Sequence, residues 1–209
     1  MDVVRRVRRA AGGVKTGHAG TLDPLASGVV ICCLGRATKC VESLMGLPKT
    51  YETDIDLTAF TTTDDREGER LEVCVDTPPN LEAIRQLCQQ YVGQIEQTPP
   101  VYSAVHINGR RAYKMARKGE QVEMPSRMVR IDAIDILSYD WPILSLRVSC
   151  GRGTYIRSLG RDLGRDLGTG GHLASLRRTA VGEYTLTNAH PIERFDSPIT
   201  QDDLLPVPV

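Results

Sequence analysis

The sequence predicts an α+β fold with a mixed, largely antiparallel sheet flanked by helices and loops. Three observations predict it. Period-two alternation of apolar and polar residues recurs in several segments. Amphipathic helical segments lie between them without a strict βαβ rhythm. Two longer alternating runs, about 127–138 and 143–150, read as a hairpin.

In chain order, residues 2–11 form an amphipathic helix. Val3, Val4, Val7, Ala10 and Ala11 share one face and Arg5, Arg6, Arg8 and Arg9 the other, and Gly12-Gly13 ends it. Val29 to Leu34 is a short apolar run suited to a buried strand, and Ala37 to Met45 a helix closing at Gly46. Tyr51 to Leu57 alternates as a half-buried strand. A polar, acidic turn at 61–69 leads to Leu71–Val75, expected to be its antiparallel partner. Pro78-Pro79-Asn80 opens a helix over 81–92. Pro99-Pro100 introduces a strand from Val101 to Ile107, Asn108-Gly109 makes a turn, and a basic helix follows at 110–118. After the hairpin come an Arg-rich helix at 154–167, a loop from Gly168 to Gly171, a short helical turn at 172–176 and a strand at 183–187. The last dozen residues read as a tail. No internal repeat or low-complexity linker divides the chain.

The 209 residues are 41% apolar, ample for a core, while aromatics make up only 5%. No run approaches the roughly 20 apolar residues of a membrane span. No apolar leader precedes the N-terminal arginines, so a cytoplasmic protein without a membrane partner is expected. Six cysteines (Cys32, Cys33, Cys40, Cys74, Cys88, Cys150) lie in apolar surroundings with no C-x-x-C spacing, which points to buried reduced thiols and away from a zinc site. Net charge is zero, yet the charges are segregated. Residues 51–96 carry eleven acids against three bases, 107–130 seven bases against two acids, and 150–180 six arginines against two aspartates. Such a molecule can bind a polyanion on one side, although solvated helix faces would give the same counts.

Four segments carry chemistry. Gly17-His18-Ala19-Gly20-Thr21-Leu22-Asp23-Pro24 places a carboxylate and an imidazole in a segment of no regular period. Pro24 holds Asp23 out of the α region, stiffening its support. The rival reading makes Asp23 the N-cap of a helix with Pro24 at its first position. Lys49-Thr50-Tyr51-Glu52 sets a tyrosine at a strand start, where a core or edge role is the ordinary one. Pro99-Pro100-Val101-Tyr102-Ser103-Ala104 couples a rigid turn to the basic helix. Gly151-Arg152-Gly153-Thr154-Tyr155-Ile156-Arg157 runs from a strand into a helix, with Tyr155 and Arg157 in its first turn. An arginine there opposes the helix dipole and implies an anionic partner. No Walker-type Lys-Ser/Thr follows the glycines, so a nucleotide site is rejected.

Together these motifs resemble the TruB-type tRNA pseudouridine synthases, in order and in spacing, over nearly the whole chain. His172-Leu173 and Leu176-Arg177-Arg178-Thr179 match the segment closing that family's catalytic domain. The resemblance implies the pseudouridine synthase catalytic fold, with residues 1–190 as the catalytic domain and 191–209 as a short C-terminal tail. It implies isomerisation of uridine to pseudouridine in the T-arm loop of tRNA, on a flipped-out base, by a monomer needing no cofactor or metal. Residue by residue it makes Asp23 the nucleophile or charge stabiliser and Arg157 its partner. Tyr51 becomes the group against the base implicated in removing the C5 proton, and Tyr155 lines the pocket. Leu176 packs on the base, and His18 holds the loop open. The basic segments would contact phosphate with little sequence reading.

Two departures bear on activity. Relatives begin about twenty residues earlier, with an apolar strand and a Lys-Pro-x-Gly-x-Thr-Ser turn, and many carry a further RNA-binding domain after the last motif. The first keeps open a non-catalytic tRNA-binding or tRNA-folding protein; the second weakens the other alternative, a guide-RNA-dependent synthase subunit, and favours a stand-alone bacterial enzyme. The aspartate assignment has a direct test: Asp23→Asn is expected to abolish isomerisation while leaving tRNA binding largely intact. Residual turnover within about tenfold of wild type counts against it.

Overall fold

The computed structural model describes residues 2–207. Helix α1 (Asp2–Ala10) is followed by strands β1 (Thr16–His18), β2 (Ser27–Gly28) and β3 (Cys32–Leu34), a 3₁₀ segment at Gly35–Cys40 and helix α2 (Val41–Gly46). Strands β4 (Lys49–Asp56), β5 (Ala59–Thr61) and β6 (Arg70–Glu72) precede α3 (Leu81–Gln90). Then come β7 (Gly93–Gln97), β8 (His106–Ile107), β9 (Arg110–Arg111) and α4 (Ala112–Ala116). The chain continues through β10 (Arg127–Asp140), β11 (Ile143–Cys150), α5 (Ile156–Leu167), β12 (His172–Val181) and β13 (Tyr184–Thr185), and ends in three 3₁₀ turns.

One seven-stranded sheet dominates, in the order β13-β12-β4-β11-β10-β7, with β2 added to β12. Every pairing in it is antiparallel except β2 with β12. Alternation explains the core: Leu144, Leu146, Val148 and Cys150 of β11 are buried, while Ser145, Arg147 and Ser149 point to the other face. Helices α3 and α5 cover the apolar face, contributing Ile84 and Cys88, and Ile156, Leu159 and Leu163, to one cluster with Ile55, Ile131 and Leu173. Asn80 caps α3 by accepting the Ala83 N–H at 2.9 Å. Helix α5 lies very close to the loop before β12, because Gly164 leaves no side chain there; a Cβ would stand 2.2 Å from the Gly170 carbonyl oxygen. A second, smaller cluster (Ala19, Cys33, Leu44) joins the β1–β3 hairpin to α2.

Several expectations need correction. Residues 172–176 are the start of β12, not a helical turn, and pair with the C-terminal half of β4. Residues 70–72 pair with β5, not with β4, whose neighbours are β11 and β12. Only His106–Ile107 of the 101–107 segment is strand, and β7 is among the unanticipated strands, with β1, β2, β5 and β9. The apolar run at 29–34 yields strand only at β3, since the chain turns from the main sheet to the small hairpin there. Asp23 starts no helix: the Ala26 N–H donates to its carbonyl at 2.9 Å, closing a single turn. Tyr155 is the N-cap of α5 rather than a residue of its first turn. Among the cysteines, Cys33, Cys88 and Cys150 are buried but Cys74 is exposed. The segment expected as a tail packs on α1, with the Ile199 N–H donating to the Ala10 carbonyl at 3.0 Å and Asp196 paired to Arg6.

Strand β2 is tied closely to β12. Gly28 has φ +106°, and a Cβ on it would stand 2.1 Å from the Arg178 carbonyl oxygen. Gly28→Ala is therefore expected to cost roughly 2–4 kcal/mol, read from the urea midpoint at unchanged m. A midpoint equal to wild type would show that the two strands tolerate separation.

Candidate active site

The chain brings Asp23 and Arg157 together from 134 residues apart. Arg157 lies in the first turn of α5, and its guanidinium makes two parallel hydrogen bonds to Asp23, Nε to Oδ2 at 2.9 Å and Nη2 to Oδ1 at 3.0 Å. Such a fork fixes both position and plane of the carboxylate. Arg157 is only 4% exposed, whereas the Asp23 side chain keeps 31% of its surface. One side of the carboxylate is held from within and another is open to an incoming group.

The rest of the guanidinium is also occupied. Nη1 donates to the Thr63 carbonyl at 3.0 Å and Nη2 to the Tyr102 carbonyl at 3.1 Å. Asp65 Oδ2 stands 3.6 Å from Nη1 and is itself buried. Sequence reasoning missed Asp65, treating 61–69 as an acidic surface turn. That turn folds inward: Asp65 Oδ1 accepts the Thr63 hydroxyl at 2.6 Å and the Glu67 N–H at 3.0 Å, and residue 65 bridges Leu173 of β12. The signal available in sequence was the Thr-x-Asp-x-Glu spacing, which suits such a side-chain-closed turn. The neighbouring Asp64 accepts from Arg161 Nη1 at 2.9 Å; burial raises its pKa, and Arg161 and Arg157 oppose the rise.

Tyr51 lies on β4, half-buried, against the main core, with Val148 and Arg178 as its cross-strand neighbours. Desolvation raises its phenol pKa, offset in part by Arg178 and increased slightly by Cys150 and Asp23. Tyr155 is clamped at its backbone by Gln97, which accepts its N–H at 2.8 Å and donates to its carbonyl at 3.1 Å. Its ring lies under the Arg127 guanidinium at 5.0 Å. Leu176, opposite Thr53 on β12, is 6% exposed and belongs to the same cluster as Tyr51. His18 lies on β1 opposite Cys32, with a buried Nδ1 that meets no hydrogen-bonding atom of the described residues.

The two basic segments differ. His106, Arg110, Arg111, Lys114 and Lys118 line an open cavity of about 300 Å³ around β8, β9 and α4. The six arginines of 150–180 divide evenly: Arg157 and Arg178 are buried and Arg161 is paired with Asp64 and Asp162, while Arg152, Arg165 and Arg177 are exposed. That segment both builds the site and presents charge. Among the described residues no group of His, Cys, Asp and Glu is arranged to hold a metal ion, and no helix is long and apolar enough to cross a membrane.

This architecture has solved counterparts that define its class. A crystal structure of a Cbf5-Nop10-Gar1 complex superposes with a TM-score of 0.66 at 30% identity, covering 88% of this chain and 45% of the other. The archaeal box H/ACA sRNP Nop10-Cbf5 complex gives a TM-score of 0.62 at 28% identity, over 88% of this chain and 44% of that one. The fold is that of the pseudouridine synthases, as the motifs implied. The model of the TruB family pseudouridylate synthase N-terminal domain matches residues 8–156, and that of the tRNA pseudouridylate synthase B C-terminal domain residues 157–203. The chain belongs to the TruB family. It is 46% identical over 203 residues to tRNA pseudouridine synthase B of Ralstonia pickettii, covering 94% of this chain and 63% of the relative. It is 43% identical over 189 residues to that of Parabacteroides distasonis, covering 90% of this chain and 80% of the relative. The chain thus spans less than two thirds of the length of the first of these curated relatives.

Removing one member of the central pair separates its structural role from any chemical one. Arg157→Met strips the donor from Asp23, two carbonyls and the buried Asp65, and is expected to cost about 3–5 kcal/mol in urea unfolding. A loss below about 1 kcal/mol would show that water replaces the guanidinium without penalty.

Proposed function

We propose that this protein isomerises uridine to pseudouridine in the T-arm loop of tRNA, as a cytoplasmic, monomeric enzyme. The observation that carries the reading is the Asp23 carboxylate, gripped by a buried arginine yet open on its outer side. The relatives named tRNA pseudouridine synthase B support the choice of tRNA as substrate.

In this reading the target base leaves its stack, at a cost of a few kcal/mol that phosphate contacts offset. The open basic cavity around β8, β9 and α4 supplies a surface for those contacts, suited to shape and backbone more than to base sequence. Asp23 attacks the nucleotide or stabilises the charge that develops as the N1–C1′ bond breaks. Arg157 keeps the carboxylate oriented throughout, so no reorganisation is needed as charge forms. The uracil then turns and its C5 joins C1′, and any bond Asp23 made to the nucleotide breaks to return the free carboxylate. Tyr51 takes the C5 proton as its own phenol proton passes to solvent, N1 gains a proton, and the atoms of the substrate are conserved. Leu176 and Tyr155 form the apolar wall against which the base turns. His18 contacts the opened loop from β1.

Tritium release from C5-labelled uridine in a T-arm transcript tests the reading. Release by the wild type and none by Asp23→Asn is the expected result. Bound RNA with no release from either protein would instead indicate a tRNA-binding protein without turnover.

A further inference from the structure

A second arginine, Arg178 on β12, is as deeply buried as Arg157, at 1% exposure, and the reaction proposed above gives it no task. No carboxylate lies within salt-bridge distance of it among the described residues. Its guanidinium is spent on the loop that carries Asp23. Nε donates to the Val29 carbonyl at 2.8 Å, Nη2 to the Gly20 carbonyl at 3.2 Å and Nη1 to the Thr21 carbonyl at 3.4 Å. Its own carbonyl accepts the Val29 N–H at 2.9 Å. One residue therefore holds both ends of the 20–29 loop.

Arg178 is also the direct cross-strand partner of Tyr51. Partners at such positions place their side chains on the same face of the sheet, close enough to interact. Burial raises the Tyr51 phenol pKa, and the Arg178 guanidinium works against that rise. A buried cation with no carboxylate of its own is costly unless other groups take up its hydrogen bonds. Here three loop carbonyls do so.

We propose that Arg178 is a positioning residue that locks the Tyr51 phenol to the Asp23 loop, setting the distance between the two reacting side chains. The inference rests on the reading of Asp23 and Tyr51 given above. Arginine keeps its charge and can only donate, so a guanidinium held beside the phenol favours the form of Tyr51 that carries negative charge. The other groups that bear on the phenol are Cys150 from β11 and Asp23 from the loop, and both act against that form. Lys49, one strand position pair away, is turned elsewhere: its Nζ donates to the Met45 and Leu47 carbonyls at 2.5 and 2.6 Å. Arg178 is thus the cation that serves the phenol.

The test uses the full chain with ¹³Cζ-labelled tyrosines, Tyr51→Phe identifying the Tyr51 resonance, alongside tritium release from the T-arm transcript. Arg178→Met is expected to move the Tyr51 resonance at neutral pH while Tyr139 and Tyr184 stay in place. It is expected to lower kcat at least about tenfold with KM within about threefold. Arg178→Lys, which keeps the charge without the fork, is expected to fall between the two in both readouts. An unmoved Tyr51 resonance overturns the proposal, because any loss of rate would then come through the loop alone. A moved resonance with unchanged kcat overturns it as well. Should Arg178→Met fail to fold, Arg178→Lys decides: wild-type resonance and wild-type kcat together would refute the positioning role. If the wild type itself releases no tritium, the proposed reaction fails, and the resonance alone decides whether Arg178 grips the phenol.

Discussion

The geometry of the site depends on a single guanidinium that is fully occupied. Arg157 gives two hydrogen bonds to Asp23 and one each to the carbonyls of residues 63 and 102, so four separate stretches of chain meet at one planar group. Planarity matters: a fork that must serve a carboxylate and two carbonyls has one orientation, and the elements that supply those acceptors are fixed relative to one another by it. The helix N-terminus, which would ordinarily disfavour a cation, is tolerable because Asp23 and Asp65 surround it with negative charge.

Around this centre the arginines divide their work by burial. Arg157, Arg161 and Arg178 point inward and bind loops to the sheet and helix; Arg110 and Arg111 of β9 are exposed with Lys114 and Lys118, as are Arg152, Arg165 and Arg177. A net charge of zero conceals this division. The acids counted against the bases are in part the internal partners of the buried arginines, as Asp23, Asp64 and Asp65 show. The outward-facing cations are therefore left with more field at the surface than the overall balance suggests.

How legible the molecule is in its sequence varies with the range of the interaction. The β10–β11 hairpin was plain because its alternation is regular and its partner adjacent. Strand β12 was obscured by register shifts at Leu173/Ser175 and Arg178/Ala180, which break the period of two, and by a buried arginine where an apolar residue would be expected. Strand β7 offers only Ile95 as an apolar signal in Gly-Gln-Ile-Glu-Gln and sits at the sheet edge. Leu71–Val75 seemed the natural mate of β4, yet distant β11 and β12 displaced it, which no local pattern reveals. Asp23 and Arg157 were readable because their motifs are distinctive. Asp65 was not, because its role depends on a turn folding inward.

The central position of β4 has a consequence for how the protein is made. Its two neighbours begin at Ile143 and His172, so about 90 residues must be synthesised after Asp56 before either edge can be paired. At roughly 5–20 residues per second the strand waits on the order of 5–20 s on the ribosome. During that interval Ile55 and Leu57, fully buried at the end, face solvent or a chaperone. The acids of this region, Glu52, Asp54 and Asp56, alternate with those apolar positions along the waiting strand. Like charges at that spacing oppose stacking of one nascent β4 on another, so the strand carries its own protection against aggregation until its partners arrive.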